Sequence, residues 1–444
     1  MKISNYKLWA VLPLLAVALN AQAYDMKVGG ICYTKLSQTS GTVKVDACDD
    51  PDEPYTGAIT IPATITHSGT SYKVVEIGSA AFKNCGDITS IYTGDNVETI
   101  SDEAFSYCKK LENIKFGPNV KSIGESAFES CYLLDDVTLP EGVTTLSAFV
   151  FDTCTKLSKI KFGSKVSHIM DDAFGGCEGF SSFTVPSSVT FIGQSAFADC
   201  TNMKSIDLST NLDTIAPSAF LRCYALESVD LPSSITLLNK SAFKDCSKLT
   251  TVNFPDDVAL TALYASTFEN CTSLKSLNIP EGITSIATKL CSNCKSLKEV
   301  TIPASVATIA SKAFDLCDSL VSVTALGATP AKLAKANAFT TTAYANATLY
   351  VKADVVETYQ GAQYWSNFKT IKPIINTGIQ GVAAKADAIK VAGRTVSVAG
   401  NAPVSIYTAD GRLIYQGAAE DYQLPSAGIY IIASGNAKSK VAVR

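Results

Sequence analysis

Eleven cysteines recur in phase along this chain: Cys85, Cys108, Cys131, Cys154, Cys177, Cys200, Cys223, Cys246, Cys271, Cys294 and Cys317. Nine of the spacings are 23 residues and one is 25. A core assembled from distant segments has no reason to keep such an interval. A solenoid, in which each coil stacks on the one before, requires it. Other columns share the phase. Three residues before each cysteine stands Phe82, Phe105, Phe128, Phe151, Phe174, Phe197, Phe220, Phe243, Phe268 and Phe314, with Cys291 the exception. Eight before is Ile or Leu, from Ile77 to Ile309, and three after is apolar, from Ile88 to Leu320. Positions six and eight after are mostly apolar, as in Ile206 and Leu208.

That last run alternates with period two and predicts a short strand. A proline often follows (Pro140, Pro186, Pro232, Pro255, Pro280, Pro303) and ends the strand, having no N–H to donate. The S-A-F-x-x-C stretch predicts a helical or 3₁₀ turn with Phe and Cys on one face. Each coil is then one strand and one tight turn, and cannot bury its apolar face without neighbours. Eleven coils at strand spacing make a parallel sheet on the order of 50 Å long. The two extra residues near Ala259–Leu260 should bulge one loop and leave the stack intact.

The L-x-x-I-x-L-P…I-G-x-x-A-F-x-x-C pattern, from Val75 to Val323, resembles the BspA-type leucine-rich repeat of bacterial surface proteins. The resemblance implies an α/β solenoid of the leucine-rich repeat type over 75–324, attached to a cell surface and binding host matrix proteins or other bacteria.

The flanks read differently. Lys2 and Lys7, an apolar run from Leu8 to Leu19 and Ala21-Gln22-Ala23 predict a secretory signal peptide over 1–23, cut before Tyr24. No other stretch approaches a membrane span, so the mature chain is expected to have no transmembrane segment. Residues 24–74 predict a β cap, with Ile59-x-Ile61-Pro62 echoing the repeat strand. Residues 325–372, with Tyr364-Trp365-Ser366-Asn367-Phe368, predict a closing cap in which aromatics seal the last coil. A linker at 373–386 leads to strands Thr395–Val398, Val404–Thr408, Leu413–Gln416 and Ile429–Ala433, with a hairpin turn at Asp410-Gly411. These predict a small all-β sandwich over 387–444. Ile406–Arg412, Gly428–Ile431 and Lys440–Arg444 resemble the C-terminal sorting domain of type IX secretion cargo, which implies passage across an outer membrane; a generic Ig-like module is the alternative.

Export permits disulfides. Parallel side chains of a ladder pack better than they bridge, so the eleven in-phase cysteines read as buried thiols, and Cys32 with Cys48 is the disulfide candidate. Cys291-x-x-Cys294 has the form of a zinc half-site, but Cys294 is the ladder residue and Cys291 fills the Phe slot, so no cofactor or metal is expected. The formal net charge of −4 lacks the basic footprint of a nucleic-acid protein. His67 and His168 have no nucleophile specified by a motif, and no enzyme is expected. What remains is the outward strand face, rich in Ser, Thr, Asn and Asp. Tyr92, Lys115, Lys159, Lys161, Asp207 and Asp230 on that face are the candidate partner-binding residues. A glycan-binding accessory role, with Tyr92 as the stacking ring, and a non-binding spacer are the other readings.

Overall fold

The computed structural model describes residues 24–37, 39, 41–48 and 55–374, and beyond them the segments 389–392, 395–398, 403–408, 413–418, 422–424, 428–434 and 437–443. The signal-peptide segment 1–23, the linker from 375 onward and the Asp410-Gly411 turn lie outside the described residues. Two compact units divide between Lys372 and Pro373.

In the first unit the run after each ladder cysteine forms the expected strand, and most successive strands pair in parallel. Lys159–Lys161 lies on Asp136–Thr138, Ser182–Thr184 on Ser205–Asp207, and Ser276–Asn278 on Glu299–Ile302. A second, shorter ladder forms eight residues before the cysteine, where the sequence shows only an apolar column. Two-residue strands from Thr145–Leu146 to Leu237–Leu238 pair there in register. The coil with two extra residues interrupts this ladder, leaving a single bridge from Leu263 to Ile286. Its Phe268 still stacks on Phe243 at 6.0 Å, so the bulge stays outside the core.

The S-A-F-x-x-C stretch forms tight turns with i→i+3 bonds and does not propagate into a helix. Lys83 N–H donates to Ala80 O and Cys85 N–H to Phe82 O, both at 3.1 Å. The residues five and one before each cysteine adopt positive φ, as in Ala80 (55°), Asn84 (64°), Ser195 (52°) and Asp199 (59°). A left-handed residue cannot continue a right-handed helix. It swings every second N–H along the solenoid axis instead: Ala80, Phe82 and Asn84 donate to Asp102, Ala104 and Ser106 of the next coil at 2.8–2.9 Å.

Inside, the phenylalanines form a continuous stack from Phe82 to Phe268, with ring centroids 5.1–6.0 Å apart. Beside it runs the thiol column, fully buried from Cys108 onward. The ends are closed by other aromatics. Tyr55 packs on Phe82 at 4.6 Å. At the far end Phe339 stacks on Phe314 at 5.1 Å, and Phe368 meets it edge-on. The closing cap carries α1 (Thr341–Asn346) and α2 (Val356–Gly361), and Trp365 anchors it by donating Nε1–H to Ala331 O at 2.7 Å. In the opening cap, Cys32 and Cys48 are joined in a disulfide, Cα to Cα 5.5 Å.

The second unit holds two antiparallel sheets, one of three strands and one of four. Pro403–Thr408 pairs with Leu413–Ala418 and Gly428–Ser434, and Ala437–Val443 forms an edge. Val396, Val404, Ile406, Leu424, Tyr430 and Ile432 make its core.

Candidate binding face

The period of two along each repeat strand fixes which side chains leave the solenoid. The middle residue is turned inward, as with Val137, Val229 and Leu277, while its two neighbours are exposed. Parallel in-register pairing then lines the exposed residues up in two rows. One row contains Asn113, Asp136 and Lys159; the other contains Tyr92, Lys115, Thr138 and Lys161. Further along, Thr184 stands beside Asp207, and Asp230 beside Asn253.

The structure brings some of the candidate residues together and holds others apart. Lys115 Nζ sits 5.1 Å over the Tyr92 ring, and the Tyr92 hydroxyl donates to Asp95. That hydrogen bond to a carboxylate raises the Tyr92 phenol above its ordinary range. The ring face on which a sugar would stack is therefore met by an ammonium group. Lys159 and Lys161 share one strand and are exposed. Asp207 accepts from Thr184 Oγ1 at 3.3 Å, and Asp230 from Asn253 Nδ2 at 2.6 Å, so both acids are partly engaged. The basic and acidic patches are separated by the strand Ser182–Thr184.

Two strands extend the face beyond the eleven coils, the first signalled by the Ile59-x-Ile61-Pro62 echo of the repeat strand. Thr56–Thr60 adds a strand before the first coil and sets Thr60 beside Tyr92. Thr348–Val351 adds one after the last and sets half-buried Tyr350 beside Thr324. The 26-residue step from Ser322 to Thr348 breaks the phase, and only the apolar–polar alternation Leu349-Tyr350-Val351 signals it.

Elsewhere the chemistry is quiet. Ser167 Oγ lies 2.8 Å from His168 Nδ1 and also donates to Thr144 O, which engages the hydroxyl with backbone. Among the described residues no group of three or more His, Cys, Asp or Glu is placed to hold a metal ion. No described helix is long and apolar enough to cross a membrane. The ladder thiols are pushed well above their ordinary range by burial, as at Cys131, Cys177, Cys200 and Cys246. A neutral buried thiol is a poor nucleophile.

A family model described as BspA type Leucine rich repeat region (6 copies) matches residues 75–204 and 190–321, together more than half of the 444-residue chain. Among solved structures, the pneumococcal vaccine antigen PcpA aligns with a TM-score of 0.52 at 19% identity, over 78% of this chain and 97% of that one. A leucine rich cell surface protein from Faecalibacterium prausnitzii aligns at 28% identity with a TM-score of 0.43, over 68% of this chain and 94% of its own. A leucine-rich repeat protein from Bacteroides ovatus does so at 26% identity and 0.42, with the same coverages of 68% and 94%. No curated protein sequence matches this chain.

Proposed function

We propose that this chain, which belongs to the BspA-type leucine-rich repeat family, is a secreted cell-surface protein that binds other proteins, on host matrix or on neighbouring bacteria, through the strand face of its solenoid. One observation carries the reading. Two parallel rows of exposed or half-buried polar and charged side chains run along the stack of coils, from Ser90 and Tyr92 to Glu299 and Thr301, while the opposite side of each strand is committed to the core. Repeat proteins bind through such extended faces. The rows hold neither Trp nor Arg, the side chains that anchor strong interfaces. Each contact is therefore weak, and affinity comes from repetition along the solenoid and from many copies on one surface.

The C-terminal unit supports the location. Its antiparallel two-sheet architecture and its Lys440–Val443 strand end fit a sorting module that hands the chain to the cell surface. Fractionation with C-terminal mass mapping tests the route: surface-bound material is expected to have lost roughly the last sixty residues, and an intact tail in the periplasm would sink it. Solid-phase binding of the purified protein to host matrix proteins and to bacterial surfaces tests the function. Binding to at least one, reduced by charge reversal at Lys159 and Lys161, is expected; binding to neither removes adhesion.

A further inference from the structure

Among the described residues three junctions of the strand face lack a ladder; those after Ser205–Asp207 and after Thr251–Asn253 each keep a flanking bond, Glu227 N–H to Lys204 O and Lys275 N–H to Thr250 O, and one junction keeps none. Lys159–Lys161 is hydrogen-bonded on one side, to Asp136–Thr138, and Ser182–Thr184 on the other, to Ser205–Asp207, but no ladder joins these two strands to each other. The flanking bonds are absent as well. One coil later, Lys204 N–H donates to Ser181 O and Val185 N–H to Asp207 O. The equivalent donors at the open junction, Ser181 N–H and Phe162 N–H, have no acceptor among the described residues.

A wedge of rings marks this junction. Phe180 and Phe183 stand where the coils on either side have Leu157 and Ile160, and Met203 and Ile206. They meet edge-on at 5.0 Å, and Phe183 also presses on Phe162 at 5.9 Å and on Phe197 at 4.7 Å. The coils remain closed on their other sides: Cys177 Sγ still donates to Phe151 O at 3.2 Å, and Ile169 still pairs with Ile192. The coil pair thus gapes on the strand face alone. The opening has a volume of about 210 Å³, floored by Ile160, Phe180 and Phe183 and rimmed by Lys159, Ser182 and Thr184. Lys159 and its strand neighbour Lys161 are exposed and form no ion pair among the described residues.

We propose that this opening seats an aspartate or glutamate of an extended segment of a partner protein. The segment's backbone bonds the two unpaired strand edges, as in strand addition, and its carboxylate meets the Lys159 ammonium in a charge-assisted hydrogen bond. A peptide is favoured over an acidic sugar because the unfilled groups at the junction are main-chain donors and acceptors in strand register. The proposal rests on the reading of the strand face as a protein-binding surface and names the chemistry of what it binds.

The test is fluorescence anisotropy on the full chain with a labelled, end-blocked peptide alternating Glu with Thr, its Gln-for-Glu counterpart, and an oligogalacturonate as competitor. The Glu peptide is expected to bind about tenfold more tightly than the Gln peptide, and K159Q to remove that difference. F183I, which puts the aliphatic residue of the next coil in place of one ring of the wedge, is expected to abolish peptide binding while the thermal transition is retained. Equal binding of the two peptides, unchanged binding by K159Q and F183I, or no peptide binding overturns the proposal. Selective displacement of the peptide by the oligogalacturonate overturns the choice of occupant. Matrix and bacterial binding measured on the same proteins separates this proposal from the broader one: whole-chain binding without peptide binding removes only the slot, and peptide binding without whole-chain binding removes only adhesion.

Discussion

Cys200 Sγ donates to the carbonyl oxygen of Phe174, 3.3 Å away on the preceding coil, and that same oxygen accepts the N–H of Cys177 at 3.2 Å. The relationship repeats from Cys108 on Phe82 to Cys294 on Phe268. A buried carbonyl has two lone pairs. The turn satisfies one, and a small side chain with a weak donor satisfies the other without the desolvation a hydroxyl would incur. This is why the column is cysteine and not leucine.

Replacing Cys200 with Ala removes the donor and leaves a void, and is expected to cost about 1–3 kcal/mol in urea unfolding. The same burial protects the thiols. Under native conditions a thiol reagent is expected to label half-buried Cys85 first and the column beyond it only on unfolding, when all twelve free cysteines react. Early labelling of Cys154 or Cys200 in the native protein would contradict the packing described.

Coil ten replaces the usual Ala-Phe pair with Leu290-Cys291, both fully buried. Bulk moves by one residue from the ring slot to the alanine slot, and the ring stack is interrupted between Phe268 and Phe314. Cys291→Phe alone should overpack against Leu290, and Leu290→Ala alone should leave a cavity costing about 2–5 kcal/mol. The double variant restores the pattern of the other coils. A double-mutant cycle is expected to show favourable coupling of about 1–3 kcal/mol; additive single costs would refute the compensation.

Asp152 gives the solenoid a pH dependence. Burial, then the charges of Asp172 and Glu129, push its carboxyl up to about 7, against a weaker opposing bond from Thr153 N–H, with Asp199 adding to the rise. Ionisation is thus harder in the folded chain than in the unfolded one. The site is neutral to stability below the unfolded value near 4 and destabilises progressively as pH rises toward 7. Asp152→Asn is expected to raise stability by about 1–3 kcal/mol at pH 8 and to change little at pH 4. Thermal melts at the two pH values check this, and an equal gain at both would exclude the ionisation account.

The coils were legible because their cause is local and repeated: a phased apolar column says what is buried and period two says what is not. The tight turns are legible but their positive φ is not, because Ala80 and Asn84, or Ser195 and Asp199, carry no sequence mark of it comparable to glycine. The open junction is not legible because Phe180 and Phe183 satisfy the apolar code, and the edge-on packing of Phe183 on Phe162 and Phe197 is set by the neighbouring coils. Tyr350 was assigned to the cap and not to the face because the step that reaches it is out of phase. In each case composition at one position was visible and the geometry set by several coils was not.

Tyr55 ties the opening cap to the first coil by two different means. Its ring packs on Phe82 at 4.6 Å, in the place of a preceding phenylalanine, while its hydroxyl accepts the Cys32 N–H at 3.0 Å and lies 3.1 Å from Cys48 Sγ. Burial foremost pushes the phenol up to about 12, so it stays neutral at physiological pH. Tyr55→Phe keeps the ring and orphans the Cys32 N–H, for an expected cost of about 1–3 kcal/mol. Tyr55→Ala also uncovers Phe82 and should cost about 3–5 kcal/mol. Because each coil contacts only its neighbours, the damage should be local. Hydrogen exchange is expected to speed at Ile31–Lys35 and in the turn around Phe82, and to stay unchanged around Cys317. Acceleration along the whole solenoid would mean that the caps and coils unfold as one unit and that Tyr55 guards all of it.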